Sequence, residues 1–389
     1  MKKRHKALLG LAVIFIGIPF VLWMAWLLTT PRPISIFIMD KTSYTEYKIR
    51  HRAINWVLKH YRFVKPNGKD YSPEVDYYGF YPSADATYTI RDLTGLNPLE
   101  INRLSIQYHA AYYVDSYGVY SNMYPVENAD EGPVEKIYGG LSREDLLFLE
   151  YMLKADKLIM AEFIFLAPPT KLAERKRAEQ LLGIEWQGWT GRFFHSLDKN
   201  HPDRFLPGWI PELYEAQYGE PWEFATAGVV FVHEDQTLVV LEEDFHLGSA
   251  LPHIHTDANM RKKYGVVDKI SYPGWFDITL PASETARALS WYEFDFTAEG
   301  EALMNRHQIP LRFPAVIFDE SPGRMYYFAG DFGHNPVSRR FVRVKGSRFV
   351  ELFLADLNDP TDKSGFFLAY YLPLVKNILE KYQADVVAF

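Results

Sequence analysis

The segment Ile-Ser-Ile-Phe-Ile-Met-Asp at residues 34–40 is a short run of mostly apolar side chains that ends in a carboxylate. Its length and its isoleucines are typical of a strand buried on both faces of a sheet. The same pattern returns at residues 109–115, which end in Asp115, and at residues 157–162, which end in Glu162. Each run therefore predicts a strand with an acidic residue at its carboxyl end.

Helical patterns lie between these strands. Residues 47–61 have apolar positions at helical spacing, residues 142–155 open with a capping box in which Asp145 takes the place of Glu, and residues 170–182 predict a third helix. Strand–helix alternation of this kind predicts an α/β fold with a mostly parallel, doubly wound sheet and helices on both faces. A βα barrel stays open as an alternative, because alternation does not fix the strand order.

The pattern changes after Trp222. Residues 228–233 and 237–242 are β-branched runs separated by three polar residues, which predicts a β-hairpin. A closing helix is predicted near the C-terminus, where Pro373 should kink or split it. The predicted parts of the chain are a cytoplasmic tip and membrane anchor at 1–30, the first part of the α/β domain at 31–222, a β-rich insertion at 223–300, and the return to the α/β domain with the closing helix at 301–389.

Residues 7–28 contain no charged side chain. At about 1.5 Å rise per residue such a run is long enough to cross the roughly 30 Å core of a bilayer as one helix. Four basic residues precede it within the first six positions, whereas Arg32 is the first basic residue after it. The positive-inside rule then predicts a single-pass cell-membrane protein with a cytoplasmic N-terminus and an extracytoplasmic main domain. We expect the segment to be retained, because its apolar core is longer than that of a cleaved signal peptide.

Composition excludes several classes of function. Of the 389 residues, 48% are hydrophobic and 23% are charged, which is typical of a globular protein. The 42 Lys and Arg against 49 Asp and Glu give a net charge of −7, which argues against nucleic acid as the main partner. The absence of cysteine excludes disulfides, iron–sulfur clusters, thiolate zinc sites and a cysteine nucleophile. No nucleotide motif is complete, and we predict no cofactor.

Three segments carry a resemblance to a known family. They are Tyr-Gly-Gly-Leu-Ser-Arg-Glu-Asp at 138–145, Pro-Thr at 169–170 followed by Glu-Gln-Leu-Leu-Gly-Ile at 179–184, and Pro-Gly-Arg-Met-Tyr-Tyr-Phe-Ala-Gly-Asp at 322–331. In this order they resemble the class I glutamine amidotransferase-like superfamily, over residues 34–191 and 309–335, which implies a flavodoxin-like fold. The amidotransferases of the superfamily use a cysteine with a histidine and a glutamate. Without a cysteine, this chain resembles the branches that lack that activity, some of which are modules of glycan-handling proteins.

The acidic residues that follow the predicted strands are candidate catalytic residues. In an open α/β sheet, ligands bind outside the carboxyl ends of the strands, so Asp40, Asp115 and Glu162 should meet at one edge. Crowding raises the pKa of one carboxyl group while another stays ionised, as general acid–base catalysis and glycoside hydrolysis require. In the alternative interpretation each of them caps a local turn, as acidic residues at the start of loops commonly do.

Aromatic side chains and an arginine crowd the predicted loops. Flat rings beside charged groups suit a sugar, whose C–H faces stack while its hydroxyls need polar partners. In the alternative, these rings pack the loops onto the sheet. The candidate ligand-binding residues are Tyr78, Tyr117, Trp186, Trp189 and Arg192.

His246, His253 and His255 raise the question of a metal site, because His-x-His on a strand places both rings on one face. Pro252 interrupts this stretch, and no glutamate lies at metallopeptidase spacing. We therefore predict no metal.

These observations together predict a membrane-anchored extracytoplasmic protein that binds, or assists the handling of, a glycan or other envelope polymer. One alternative is a carbohydrate hydrolase with Asp115 and Glu162 as acid and base and Asp40 as orienting or nucleophilic carboxylate. The other is a structural subunit of a membrane complex, in which the aromatic loops contact a membrane-protein partner.

Overall fold

The computed structural model describes residues 17–45, 50–83, 87–124, 134–201, 206–320, 324–335, 337, 341–354, 359 and 362–387. The strands are β1 (Arg32–Pro33), β2 (Ile36–Asp40), β3 (Phe63–Val64), β4 (Tyr78–Pro82), β5 (Tyr88–Arg91), β6 (Ala110–Asp115), β7 (Val119–Tyr120), β8 (Lys136–Tyr138), β9 (Leu158–Glu162), β10 (Ile184–Phe194), β11 (Gly228–His233), β12 (Leu238–Glu242), β13 (Leu247–Thr256), β14 (Lys269–Ser271), β15 (Trp275–Pro281), β16 (Arg287–Phe296), β17 (Phe313–Asp319) and β18 (Met325–Phe328). The helices are α1 (Ile18–Leu27), α2 (Arg52–His60), α3 (Pro98–Ile106), α4 (Arg143–Lys154), α5 (Leu172–Leu182), α6 (Trp209–Tyr218), α7 (Ala258–Tyr264), α8 (Ala298–Arg306), α9 (Ser347–Leu354), α10 (Ser364–Phe366) and, after a π-helical turn at Phe367–Tyr371, α11 (Leu372–Val387).

The main sheet is mixed, with a parallel centre. Its order is β14-β13-β16-β17-β18-β9-β6-β2-β4-β5. Strands β18, β9, β6, β2 and β4 pair in parallel, and the remaining neighbours pair antiparallel. Counted along the chain, the parallel strands have the order 2-1-3-4-5, which is a doubly wound order rather than a barrel. The predicted α/β class is confirmed, and the sheet as a whole is mixed rather than mostly parallel.

The central strands are continuous apolar runs because helices cover both faces of the sheet. On β6, the Tyr112 hydroxyl is 2.8 Å from the Tyr371 hydroxyl in the π-helical turn. The next residue, Tyr113, points to the other face and packs with Phe37, which also contacts Phe148 of α4. Side chains of a strand alternate between faces, so these contacts place helices on opposite sides, as the sequence predicted.

A second sheet is antiparallel, with the order β12-β11-β10-β15. It contains the predicted hairpin, which β11 and β12 form with Gly228 paired to Glu242 and Val232 to Leu238. The long strand β10 precedes the hairpin in the chain and pairs with it. A single bridge between Phe276 of β15 and Gly330 joins this sheet to the end of β18. The second sheet therefore lies next to the carboxyl edge of the parallel strands.

Two local predictions are confirmed. The Ser142 hydroxyl accepts a hydrogen bond from the Asp145 backbone N–H at 3.1 Å, and the Asp145 carboxylate accepts one from the Ser142 N–H at 2.8 Å. This is the predicted capping box of α4. The predicted break in the closing helix is the π-helical turn, which ends just before Pro373. Proline has no N–H to donate and crowds the preceding turn, so the regular α-helix does not run through it.

The predicted anchor at 7–28 lies partly outside the described residues. Its C-terminal part forms α1, whose apolar side chains are largely exposed, among them Phe20 and Val21. Trp26 near its end is buried, and its indole N–H donates to the His60 carbonyl oxygen at 3.0 Å. Within the part of the chain that the structure describes, none of the helices combines the length and the apolar character needed to span a bilayer.

Candidate functional site

The main sheet brings four acidic residues to one edge. Asp40 at the end of β2 is in register with Asp115 at the end of β6. Glu162 at the end of β9 is in register with Phe328 at the end of β18, and Asp331 lies three residues beyond that end. The structure therefore places Asp40, Asp115 and Glu162 at the same edge, as the parallel strands predicted, and adds Asp331.

A cleft of about 1040 Å³ lies where this edge faces the second sheet. One wall follows the carboxyl ends of the parallel strands, and the other consists mainly of β10, β11 and β15. The lining residues that matter for its chemistry are Thr42, Arg50, Asp115, Tyr117, Asp331, His334 and Lys363 on the first wall, and Trp186, Arg192, Trp209, His233 and Trp275 on the second.

Asp40 lies beneath the cleft and has no exposed surface (0%). Its Oδ1 accepts hydrogen bonds from the N–H groups of Thr42 and Ser43 at 3.0 and 3.1 Å, and its Oδ2 accepts from the Ser43 hydroxyl at 2.6 Å. His51 Nδ1 donates to Oδ2 at 2.6 Å, while His51 Nε2 faces the Pro73 carbonyl oxygen at 2.7 Å.

Burial alone would raise the pKa of Asp40, but His51 and the hydrogen bonds from Ser43 and Thr42 bring it below its ordinary value. Every acceptor position of this carboxylate is thus occupied by the chain itself. Asp40 fixes the loop after β2 and does not line the cleft.

Glu162 is also buried beneath the cleft, with 1% of its surface exposed. The Tyr112 hydroxyl donates to its Oε1, and the Gly333 N–H donates to its Oε2 at 2.8 Å. A Cβ at Gly333 would lie 2.9 Å from Oε1, so a larger residue at this position would displace the Glu162 carboxyl group. Burial raises the pKa of Glu162 well above its ordinary value, with Asp331 and Asp115 adding to the effect. The side chain is therefore an internal hydrogen-bonding group whose ionised form is disfavoured by burial.

Asp115 lines the cleft. Its Oδ1 accepts hydrogen bonds from the Thr42 hydroxyl at 2.6 Å and from the Tyr117 N–H at 2.8 Å, and its Oδ2 lies 3.8 Å from Arg50 Nε. Burial raises its pKa to about 7; Arg50 opposes this shift and Asp40 adds to it. Near neutral pH, Asp115 is consequently a mixture of protonated and ionised forms.

Asp331 lines the same cleft on the other side of Arg50. Its Oδ2 lies 3.3 Å from Arg50 Nη1 and 3.1 Å from His334 Nδ1. Burial alone would raise its pKa, but His334, Lys363 and Arg50 hold the pKa below its ordinary value. One guanidinium group thus spans two carboxylates whose pKa values are shifted in opposite directions.

The candidate ligand-binding residues fall into two groups. Tyr117 and Arg192 line the cleft; Trp186 also lines it, although its indole is mostly buried beneath Arg175. Trp189 instead packs in the core against the His233 ring, with ring centroids 4.8 Å apart.

Tyr78 lies away from the cleft, because β4 is on the far side of β2 from β6. Its ring stacks on Phe37 with centroids 4.4 Å apart, and the Arg91 guanidinium covers it at 4.4 Å. For Tyr78 and Trp189, packing onto the sheet is the arrangement that the structure adopts.

Sequence reasoning missed several lining residues. Asp331 could have been found, because it is the acidic residue that ends the segment 322–331. Other missed residues come from loops, helix starts and the start of a strand that only the tertiary fold brings together; they are Arg50, Trp209, Trp275, His334 and Lys363.

The histidines of β13 take part in local contacts. His255 Nδ1 lies 3.6 Å from Asp268, and its Nε2 lies 3.8 Å from Asp257. Among the described residues, no group of three or more His, Asp or Glu side chains is arranged to hold a metal ion.

The similarity of this chain to known proteins is limited. No family model matches the sequence. No curated protein matches it either. Among solved structures, a ThuA-like protein from Bacteroides uniformis ATCC 8492 is similar over 88% of this chain and 93% of that chain, with 9% sequence identity and a TM-score of 0.37.

Proposed function

We propose that this chain is a membrane-anchored extracytoplasmic protein that binds a glycan in the cleft, without amidotransferase activity. The observation that carries the proposal is the pairing of accessible aromatic rings with buried charged groups in one cavity. Tyr117 and Trp209 line the cleft with 37% and 46% of their surfaces exposed, and Trp275 also lines it, with its ring centroid 5.4 Å from the Arg192 guanidinium. Sugars offer apolar C–H faces to such rings and hydroxyl groups to charged side chains.

The size of the cleft supports an oligosaccharide rather than a single small molecule. Its volume of about 1040 Å³ is at the upper end of the range of roughly 300–1,000 Å³ for small-molecule pockets. Asp115, Asp331 and Arg192 supply acceptors and donors along its walls. A chain of sugar rings could therefore use several contacts at once.

The proposal also includes a more specific fold class and a superfamily for the chain. We assign the parallel centre to the flavodoxin-like class, with a β-rich insertion and one transmembrane helix, and to a branch of the class I glutamine amidotransferase-like superfamily without the cysteine. The order 2-1-3-4-5 of its parallel strands and the absence of cysteine from the sequence support this assignment.

The proposed location is the cell membrane, with residues 7–28 in the bilayer and the N-terminus in the cytoplasm. The uncharged run and the four basic residues before it support this location. The exposed apolar side chains of α1, such as Phe20 and Val21, are consistent with a lipid environment.

A second candidate function is a carboxylate-dependent glycan hydrolase. The observation that favours it is the opposite shift of two pKa values in one cleft, which is the pattern of an acid and a base. Asp115, with a pKa of about 7, would act as the acid, and Asp331, with a lowered pKa, as the base. Asp331 takes the role for which the sequence suggested Glu162, because Glu162 is buried beneath the cleft.

A glycan array probed with the full-length chain in detergent tests the binding function. We expect binding to a subset of oligosaccharides and at least a tenfold loss of affinity in Tyr117→Ala, because the variant removes a stacking face. Tyr88→Ala is the matched control, since Tyr88 is similarly exposed (39%) but lies on β5 outside the cleft. Absence of binding to every oligosaccharide, or equal affinity of Tyr117→Ala and wild type, would contradict the proposal.

A reducing-end assay on the bound oligosaccharides separates the two candidates. Pure binding predicts no release of reducing ends above the rate without protein. Release by the wild type that Asp115→Asn abolishes would instead establish the hydrolase.

A further inference from the structure

More basic than acidic side chains line the cleft. Four basic side chains line it, against three acidic ones, among the described residues. Of the acidic ones, Glu234 already forms an ion pair with Arg175 at 2.5 Å, and Asp115 is only partly ionised near pH 7. The local excess of positive charge contrasts with the net charge of −7 of the whole chain.

Arg192 is the first of two cations that the chain itself leaves available. Its guanidinium lies 5.0 Å from the ring centroid of Phe194 and 5.4 Å from that of Trp275, so aromatic rings hold it in place. Within the described part of the chain it forms no ion pair with a carboxylate. Burial lowers its pKa, and Asp331 offsets this only in part.

Lys363 is the second cation that the chain leaves available. Its Nζ reaches the His334 carbonyl oxygen at 3.5 Å, and a Cβ added at Gly274 would lie 3.1 Å from it, which places the ammonium group against the backbone of the opposite wall. It too forms no ion pair with a carboxylate among the described residues. Burial lowers its pKa; attraction to Asp331 opposes this shift in part, while repulsion from Arg192 and Arg50 adds to it.

Arg50, Arg192 and Lys363 repel one another in a partly buried cavity. Such like charges destabilise the fold unless an anion lies near them. Asp331 neutralises part of this charge: its Oδ2 lies 3.3 Å from Arg50 Nη1, and its charge also acts on Lys363 and Arg192. An anionic group between Arg192 and Lys363 would supply the remaining charge and make charge-assisted hydrogen bonds to both.

We propose, resting on the glycan-binding function above, that the bound glycan carries an anionic group and that Arg192 and Lys363 bind this group. This anionic group is a carboxylate or a phosphate attached to a sugar. Tyr117 and Trp209 then contact the sugar rings, while Arg192 and Lys363 select the charged substituent.

The test measures the affinity of the full-length chain in detergent for matched pairs of oligosaccharides. Each pair consists of an acidic sugar and its neutral counterpart: oligogalacturonate and its methyl ester, sialyllactose and lactose, and the disaccharide of N-acetylglucosamine with N-acetylmuramic acid against chitobiose. A phosphorylated sugar paired with its unphosphorylated form distinguishes the phosphate from the carboxylate. We expect at least one acidic member to bind at least tenfold more tightly than its partner, as one charge-assisted hydrogen bond suffices to produce.

Two variants assign the preference to these residues. Arg192→Gln and Lys363→Gln should each reduce the preference for the acidic member at least fivefold while the neutral member binds as before. Arg177→Gln and Lys154→Gln are the matched controls, because both cations are exposed at α5 and α4 and do not line the cleft. A preference that persists in both cleft variants would overturn the assignment.

The outcomes also separate this inference from the function on which it rests. Equal binding of acidic and neutral members in every pair would overturn the anionic ligand and leave glycan binding in place. Failure of every oligosaccharide to bind, with inorganic phosphate bound in a manner that Arg192→Gln abolishes, would overturn glycan binding and leave an anion site. Failure of both the oligosaccharides and phosphate would overturn both proposals.

Discussion

Asp40 and Glu162 lie beneath the cleft, whereas Asp115 and Asp331 line it, although all four belong to the same edge of one sheet. The buried pair is bonded to the chain's own donors: His51, Ser43 and backbone N–H groups for Asp40, and a tyrosine and a backbone N–H for Glu162. The pair in the cleft shares the guanidinium of Arg50 and faces open space. The edge of the sheet therefore brings the carboxylates together, but burial decides which of them can contact a ligand.

The largest expected effect is that of Asp40→Asn on stability. This variant leaves the buried His51 without its charge partner and removes an acceptor from Ser43. Loss of one member of a buried ion pair costs about 3–5 kcal/mol. Urea unfolding of the full-length chain at pH 7 measures the change, and a decrease below about 1 kcal/mol would show that the buried pair does not stabilise the fold.

A smaller loss is expected for Asp331→Asn, on the order of 2 kcal/mol, because Arg50 and His334 lose a charged partner. The pKa of Asp331 is lowered in the folded chain, so its contribution is fully present above its unfolded value of about 3.9 and is lost as the pH falls through the folded value. Unfolding measured from pH 5 to pH 8 should therefore give a constant difference from wild type. A difference that grows with pH over that range would contradict the lowered pKa.

Asp115→Asn should increase the stability of the protein at pH 8, in contrast to the two variants above. The pKa of Asp115 is raised to about 7 in the folded chain, so ionisation costs stability as the pH rises from about 4 through 7. The variant avoids this cost and should be more stable than wild type at pH 8 by on the order of 1–2 kcal/mol, with little difference at pH 4.5. Equal stability of the two proteins at both pH values would show that the pKa of Asp115 is not raised.

The smallest effect near pH 5 is expected for Glu162→Gln, because glutamine keeps the shape of the side chain and an acceptor for Tyr112 or Gly333. We expect a change in unfolding free energy below about 1 kcal/mol at pH 5. Burial raises the pKa of Glu162 in the folded chain, so ionisation costs the wild type stability as the pH rises above the unfolded value of about 4.3, and the variant should gain stability relative to the wild type between pH 5 and pH 8. Glycan affinity should be unchanged, and a tenfold loss of affinity would mean that Glu162 reaches the bound sugar.

Much of the architecture could be predicted from the sequence because it depends on local patterns. The strands at 36–40, 110–115 and 158–162 are apolar on both faces, and Ser142 with Asp145 marks the start of α4 through a capping box. The position of acidic residues at the sheet edge follows from the direction of parallel strands alone. These features require no knowledge of long-range packing.

The composition of the cleft could not be predicted in the same way. Arg50 precedes α2, His334 follows β18 and Lys363 precedes the C-terminal helix, and the fold alone brings them to Asp331. The exposure of an aromatic ring is also a tertiary property: Tyr117 lines the cleft, while Trp189 packs in the core. Sequence pattern identified both as candidates but could not distinguish them.

A crystal structure of the full-length chain with the acidic oligosaccharide that binds most tightly would test the central claim most directly. We expect sugar rings against Tyr117 and Trp209, with the charged substituent within hydrogen-bonding distance of Arg192 or Lys363 and with Asp40 and Glu162 out of contact. An oligosaccharide bound elsewhere on the protein, with the cleft empty, would contradict it.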